Sequence, residues 1–463
     1  MSRWGKLKLH DRWALVACLT PFLVFAVLYG GVSGRGFVSD DFEWALRNRC
    51  RSFADIVAIV HRDNGFYRPA VASTFALNEY LSEANPKLYG LTNVFLALAC
   101  CFGIHRLCRA LALPMGAGIL AAAIWLFNFY GVNMAVLWIS GRTALLVTLG
   151  ATMCVAALIG DRPVSAALWF ALALFSKEEA ITMPLVGAAW LVLLQPQRRK
   201  TFFTWLLISG VVVALYLWLR SGTGAMTPSN APTYYRFTFA PAAVVRNIFE
   251  YADRTLTFSL LVTVLALGIL RWRPTIAPEQ RRILYTCICW IAATFAITVF
   301  LPARSSLYVC LPAVGSAVAA AVMIAHGWAA ATEPRRRRAI YAAIVVPFLL
   351  APIHYARGLR YIRNAEFSRQ VLSDLAVLTS TLPTGAHVVL NDTRTGRVDL
   401  NSAFGALLDD AFFFSTHRRL RFWIEPPITY ASEAGLERPC AACVSGEFTL
   451  RDGRLTPTAS RTQ

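Results

Sequence analysis

FVSDDFEWALRNRC, Phe37 to Cys50, opens a polar stretch that closes on HRDNGFYRP, His61 to Pro69. It follows the first apolar run of membrane length and is far more polar than its surroundings. It carries the adjacent carboxylates Asp40 and Asp41, then Glu43, His61, Arg62, Asp63, Tyr67 and Arg68. Between these groups, Phe53 to His61 places its apolar residues at roughly helical spacing, the pattern of a short helix lying on a membrane surface. A carboxylate pair with cations a few turns away, just outside a bilayer, suits acid/base chemistry on a charged, lipid-linked substrate. A solvated loop whose charges cap membrane helices is the plainer reading of the same residues.

Outward from this stretch the chain is apolar. Of its 463 residues, 57% are hydrophobic and only 15% charged, with a mean hydropathy of +0.51. A soluble protein of this length would carry more charge. Repeated apolar runs of about twenty residues describe an integral membrane protein. The net charge of +19 does not point to nucleic acid, because much of the excess sits in short runs between apolar spans, where it acts as a topology signal. The 11 cysteines fall mainly inside those spans, as small hydrophobes. The first span is too long, and lacks the small-residue cleavage site, to read as a secretory signal.

Arg3, Lys6, Lys8 and Arg12 precede a span from Trp13 to Val32, which puts the N-terminus in the cytoplasm and the carboxylate loop (33–87) on the far side. Leu88 to Cys108 returns inward to Arg106 and Arg109. Pro114 to Tyr130 and Thr143 to Ile159 flank a polar break, Asn133 to Arg142. Val164 to Phe175 leads to Ser176-Lys-Glu-Glu179 outside, and the sixth span continues to Leu194. After the basic cluster Arg198 to Lys200 come Thr201 to Leu219, an outer loop to Thr255, and a span ending at Arg271. Leu284 to Leu301, Leu307 to Ala325 and Ala339 to His354 complete about eleven spans. Every multi-Arg cluster between spans then falls on one side, and one miscounted span would break that agreement. The fold expected is an all-α polytopic membrane domain, 1–354, followed by a small α+β extracytoplasmic domain, 355–463. In the latter, His387 to Leu390, Leu420 to Ile424 and Phe448 to Leu455 read as strands, the last with an Asp-Gly hairpin turn. Cys440 and Cys443 would close a disulfide in an oxidising compartment. A zinc site would need two more ligands, and no thioredoxin-like pattern surrounds the pair.

This alternation brings isolated polar groups to one membrane edge: Asp40, Asp41, His61 and Arg68, then Arg142 after Trp138-Ile-Ser-Gly141, then Lys177 to Glu179, then Arg304. Charges beside apolar spans are costly and suggest function, although each alone is usually an interfacial anchor. The ordered set SDDFE, YRP, LWISGR, SKEEAITMPLV and RSSLYVCLPAVG, over roughly residues 1 to 320, resembles the GT-C superfamily of polyprenyl-phosphate-sugar-dependent glycosyltransferases. It is most similar to the protein O-mannosyltransferase branch, in its transmembrane members with tetratricopeptide repeats. The chain departs from them in lacking the repeats and in carrying Asn128 to Met134 where a histidine-rich segment is usual.

The resemblance implies a donor sugar on a polyprenyl phosphate in the membrane lipid and an acceptor that is a glycan, a lipid or a protein. Transfer would be inverting and extracytoplasmic; short loops and a compact N-terminus suit a bacterial inner membrane, and an endoplasmic reticulum protein would show the same topology. It needs a base for the acceptor hydroxyl and cations for the departing phosphate. Asp40 suits the base, with Asp41 orienting the acceptor or sharing the role. Arg68, Arg142, Lys177 and Arg304 suit the phosphate. Glu178 would position Lys177 or a sugar hydroxyl, and His61 and Tyr67 would line the donor site. No obligatory metal or other cofactor is expected, since these cations can neutralise a monophosphate; a divalent ion at Asp40 and Asp41 stays open. A lipid-linked-sugar transporter would move substrate without cleaving a bond and would favour inverted internal repeats. A non-catalytic scaffold would tolerate neutral replacement of Asp40, Asp41 and Lys177 together.

Overall fold

A computed structural model of the chain describes residues 9–50, 52–60, 66–223, 236–271, 276–392, 398–426, 438–451 and 453–458. The membrane part begins with α1 (Leu9–Gly30), followed by three shorter helices, α2 (Asp40–Arg47), α3 (Phe53–Ala58) and α4 (Pro69–Ser82). Then come α5 (Pro86–Ala110), α6 (Met115–Leu126), α7 (Val132–Leu137), α8 (Arg142–Ile159), α9 (Pro163–Leu174), α10 (Met183–Leu194) and α11 (Arg199–Ser221). α12 (Pro241–Leu270), α13 (Pro278–Phe295), α14 (Pro312–Ala330) and α15 (Glu333–Leu378) complete it. Proline opens many of these helices, at a position where its fixed φ suits the first turn and its missing N–H costs nothing.

The expected spans all correspond to helices, but not all to full crossings. Among the described residues, seven helical segments are long and apolar enough to cross a membrane: those beginning at Trp13, Pro86, Ile139, Arg199, Pro241, Pro312 and Glu333. α6, α9 and α10 have 12 residues each, about 18 Å of helix. They are short because the chain leaves the helix at Phe127 to Gly131 and again at Ser176 to Lys177. Non-helical backbone at such depth is tolerated where protein covers it, and Asn128, Ser176 and Lys177 are buried. The span from Ile139 is the innermost, 78% buried, whereas those of α11, α12 and α15 are only 17–22% buried. Their exposed Leu207, Val211, Trp218, Leu265 and Leu349 form a surface suited to lipid tails.

α15 runs unbroken for 46 residues, about 70 Å at the usual rise and more than twice a hydrocarbon core. The boundary expected after His354 therefore falls inside a helix. Its second half, to Leu378, is the platform on which the C-terminal region sits. There β1 (His387–Asp392), α16 (Leu400–Phe404), α17 (Leu408–Thr416), β2 (Arg421–Glu425), β3 (Val444–Arg451) and β4 (Arg454–Pro457) form a four-stranded sheet of order β2-β1-β3-β4. β1 is parallel to β2 and β3, and β3–β4 is the expected antiparallel pair, with Gly453 at φ +79° in the turn. Asp374 of α15 accepts from Arg454 Nε at 3.1 Å and from the Leu455 amide at 3.2 Å, and Arg418 donates to the carbonyls of Thr379 and Leu382. Cys440 and Cys443 form a disulfide with Cα atoms 5.2 Å apart.

Loops join one another in two sets. Ser140 of the third loop bonds Asp41 of the first, and the Ala70 amide of the first donates to Phe175 of the fifth. The Thr238 amide of the seventh donates to Phe300 of the ninth at 2.7 Å. In the other set, Asp161 after the fourth span accepts from Thr201 after the sixth at 2.5 Å. Alternate loops meet, as a chain that crosses back and forth requires.

Candidate active site

The loop after α1 is pinned before it reaches its carboxylates. Gly34 has φ +71°, and a Cβ on Gly36 would lie 2.1 Å from the Ala365 carbonyl oxygen of α15. Only glycine lets the chain pass this close. α2 then starts with Asp40, Asp41 and Glu43 in its first turn, where the helix dipole favours negative charge. Asp41 is 1% exposed. Its Oδ1 accepts from the Ser140 amide at 2.7 Å and the Ser140 hydroxyl at 2.5 Å, and its Oδ2 from the Val38 amide at 2.9 Å. Burial pushes its pKa up to about 7 despite these bonds. With both oxygens occupied, Asp41 ties α2 to the Trp138–Gly141 segment and is not turned toward an acceptor.

Asp40 is different. It is half-buried, and its Oδ1 accepts from the Ser39 hydroxyl at 3.3 Å. Burial raises its pKa, while Ser39 and the Arg68 charge pull it down. A carboxylate made more basic by desolvation, yet beside a cation, is what a general base needs.

Arg68, which precedes α4, forms a fork with Glu178: Nε to Oε2 at 3.0 Å and Nη2 to Oε1 at 2.6 Å. Burial opposes the charge of Glu178, but the guanidinium outweighs it and holds the carboxyl down at about 2. Glu178 thus forks with Arg68, a partner the sequence does not single out in expecting it to position Lys177 or a sugar hydroxyl. The partner of Lys177 is Glu179, at 2.9 Å, and both side chains are nearly buried. Lys177 Nζ also lies 4.7 Å from the centre of the Tyr308 ring. Burial raises the pKa of Glu179, with Lys177 acting against it. The break between α9 and α10 therefore presents two carboxylate–cation pairs side by side. One belongs to the loop that carries Asp40, and the other faces the segment after α13.

The remaining expected residues divide. Arg142 is 0% exposed. Its guanidinium donates to Asn93 Oδ1, Asn78 Oδ1, Thr74 Oγ1 and the Tyr89 and Ile139 carbonyls, at 2.8 to 3.3 Å, and lies over the Phe75 ring. These bonds and its burial keep it from a donor phosphate; it joins α4, α5 and α8. Arg304 pairs with Glu250, which also takes Arg254 at 3.1 Å. Tyr67 is buried against Phe175 and Tyr216. His61 lies outside the described residues. Ser140, Tyr308 and Glu250 are not among the residues the sequence singles out, and Glu179 is named there only within the Lys177 to Glu179 run. Ser140 had a signal, since it sits two residues before a charge that opens an apolar span.

Among the described residues no three His, Cys, Asp or Glu side chains cluster in a way that could hold a metal ion. A divalent ion at the aspartate pair would find only Asp40 uncommitted, because Asp41 spends both oxygens on Ser140 and Val38.

No family model and no curated protein matches the chain. Among solved structures it is similar to the Archaeoglobus fulgidus oligosaccharyltransferase tethered with an acceptor peptide containing the NVT sequon. The TM-score is 0.49 and the identity 10%, over 89% of this chain and 64% of that one. The chain thus spans less than two thirds of that protein's length.

Proposed function

We propose that this chain is an integral-membrane glycosyltransferase that moves a sugar from a polyprenyl-phosphate carrier to an acceptor hydroxyl at the non-cytoplasmic face. The observation that carries the reading is the grouping of Asp40, Arg68–Glu178 and Lys177–Glu179, drawn from two loops more than a hundred residues apart. The ordered motifs that resemble the GT-C superfamily run through the same residues.

Asp40 takes the proton of the acceptor hydroxyl as its oxygen bonds the anomeric carbon. The bond from that carbon to the phosphate oxygen breaks on the opposite side, so configuration inverts, and polyprenyl phosphate departs. Arg68, Lys177 and Arg304 are each paired with a carboxylate, which fixes their positions. Arg68 and Lys177 stabilise the phosphate as its charge grows, each held in direction by its glutamate. Arg304, on the segment that also holds Tyr308, is a second-rank partner, and Asp41 supports the base through the backbone.

Mass spectrometry of cell-envelope glycans and glycoproteins, with and without the protein, tests this. A hexose modification is expected to disappear with the protein and to stay absent when Asp40→Asn replaces it. Movement of lipid-linked sugar across the membrane with no bond cleaved would instead identify a transporter.

A further inference from the structure

Ser39, the residue just before Asp40, has φ 51° and ψ −121°. A residue with a side chain rarely adopts this conformation, and it persists only where the surroundings over-determine it. The surroundings belong to the C-terminal region. The Ser39 amide donates to the Ala403 carbonyl of α16 at 2.8 Å. Gly405, which ends α16 at φ +56°, lies beside it, where a Cβ would make ordinary contact with the Ser39 hydroxyl at 3.7 Å. On the face of α2 away from Asp40, the Phe42 ring stacks on Phe404 with centroids 5.9 Å apart and meets Phe414 of α17 edge-on at 6.3 Å. Beyond the C-terminal end of α2, Arg49 lies 4.7 Å over the Phe414 ring and donates to the Phe414 carbonyl at 3.2 Å. α2 is therefore gripped at its start, its middle and just past its end by one helical pair.

We infer that α16 and α17 form a clamp that holds Ser39 in its strained conformation and so aims Asp40, with Phe404 and Phe414 as positioning residues. The inference rests on Asp40 being the base. Ser39 sets the direction in which α2 leaves the loop. If the Ala403 bond and the Phe404 stack are lost, Ser39 relaxes to negative φ and the first turn of α2 swings away from Arg68. Packing alone would predict something else: a Phe404 variant would lose stability, and relief of strain at Ser39 would bring nothing back.

The test uses the full chain in lipid nanodiscs with polyprenyl-phosphate mannose, or whichever hexose the wild type turns over, and reads hydrogen exchange without substrate alongside steady-state kinetics. Phe404→Ala is expected to raise exchange at residues 38–42 and to lower kcat about ten- to hundredfold, the size of such strain, with donor KM within about twofold. Adding Ser39→Gly to Phe404→Ala is expected to recover at least about a third of the lost kcat on a logarithmic scale, because glycine accepts this φ without help. Phe404→Leu, which keeps the volume, serves if the alanine variant does not accumulate, and should show the same pattern at smaller amplitude. Unchanged exchange at α2, raised exchange with unchanged kcat, or a kcat loss that Ser39→Gly does not recover would each overturn the clamp. Full turnover in Asp40→Asn would instead remove the base assignment, and exchange at α2 would still report whether α16 and α17 hold the helix.

Discussion

Asp41 holds its carboxyl where water does not reach, on three hydrogen bonds and with no cation among them. The resulting rise to about 7 from an ordinary 3.8 fixes the sign of a pH effect. The folded protein binds this proton more tightly than the unfolded chain. The stability it contributes is therefore complete below about 4 and is lost as pH rises through about 7. The unfolding temperature of detergent-solubilised protein should fall between pH 5 and pH 8, and that slope should be smaller in Asp41→Asn. An identical slope in the variant would mean that other groups carry it. Glu178 works in a different window: held down at about 2, its contribution is present above about 4.5 and fades only as pH falls toward 2. At this scale the sequence was partly legible. It singled out Asp40, Asp41, Arg142 and Lys177, because charges beside apolar spans are costly. It did not show which would be consumed inside the protein. Arg142 and Asp41 are held by Asn93, Asn78 and Ser140, uncharged groups whose register across helices leaves no trace in spacing.

Elements were legible where local chemistry sets them. The apolar runs between basic clusters gave most of the helices, and short strand-like segments with an Asp-Gly turn gave the strands. What escaped was length. A 46-residue helix passes from the membrane part to the C-terminal region without a linker, because its later residues trade lipid contacts for the sheet. The breaks that shorten α6 and α10 look like ordinary apolar sequence at one end, since burial and not composition permits them. The fit of the first loop against α15 is a property of paired elements too. Gly36→Ala would drive a Cβ into the Ala365 carbonyl, which is backbone and cannot swing aside. It should free the start of α2 and cost about 2 kcal/mol or more. Limited proteolysis of purified protein should then cut between Gly36 and Ser39 sooner than in wild type; an unchanged pattern would show that the loop is held elsewhere.

Across the molecule, two kinds of contact agree. Loops that the basic clusters assign to one side are the ones that bond each other: Asp41 with Ser140, Arg68 with Glu178, and Lys177 with the Tyr308 ring. The cluster containing Arg198 joins Asp161 in the opposite set. Charge counting could find this, because one wrong span inverts everything after it. It could not find that the C-terminal region reaches back to α2, since nothing in Phe404 or Phe414 distinguishes a ring that stacks on a distant helix from one in its own core. A single cysteine introduced at Arg337 should resist a membrane-impermeant thiol reagent in intact cells, and one at Arg451 should react. The reverse labelling would turn the whole arrangement over. The reading as a transferase is tested most directly by transfer from a polyprenyl-phosphate hexose to acceptors in membranes lacking the protein, measured per mole of wild type and of Asp40→Asn. The expected result is hexose transfer and release of polyprenyl phosphate by the wild type, with a loss of a thousandfold or so in a variant that accumulates and inserts equally. Equal transfer by the two proteins would contradict it.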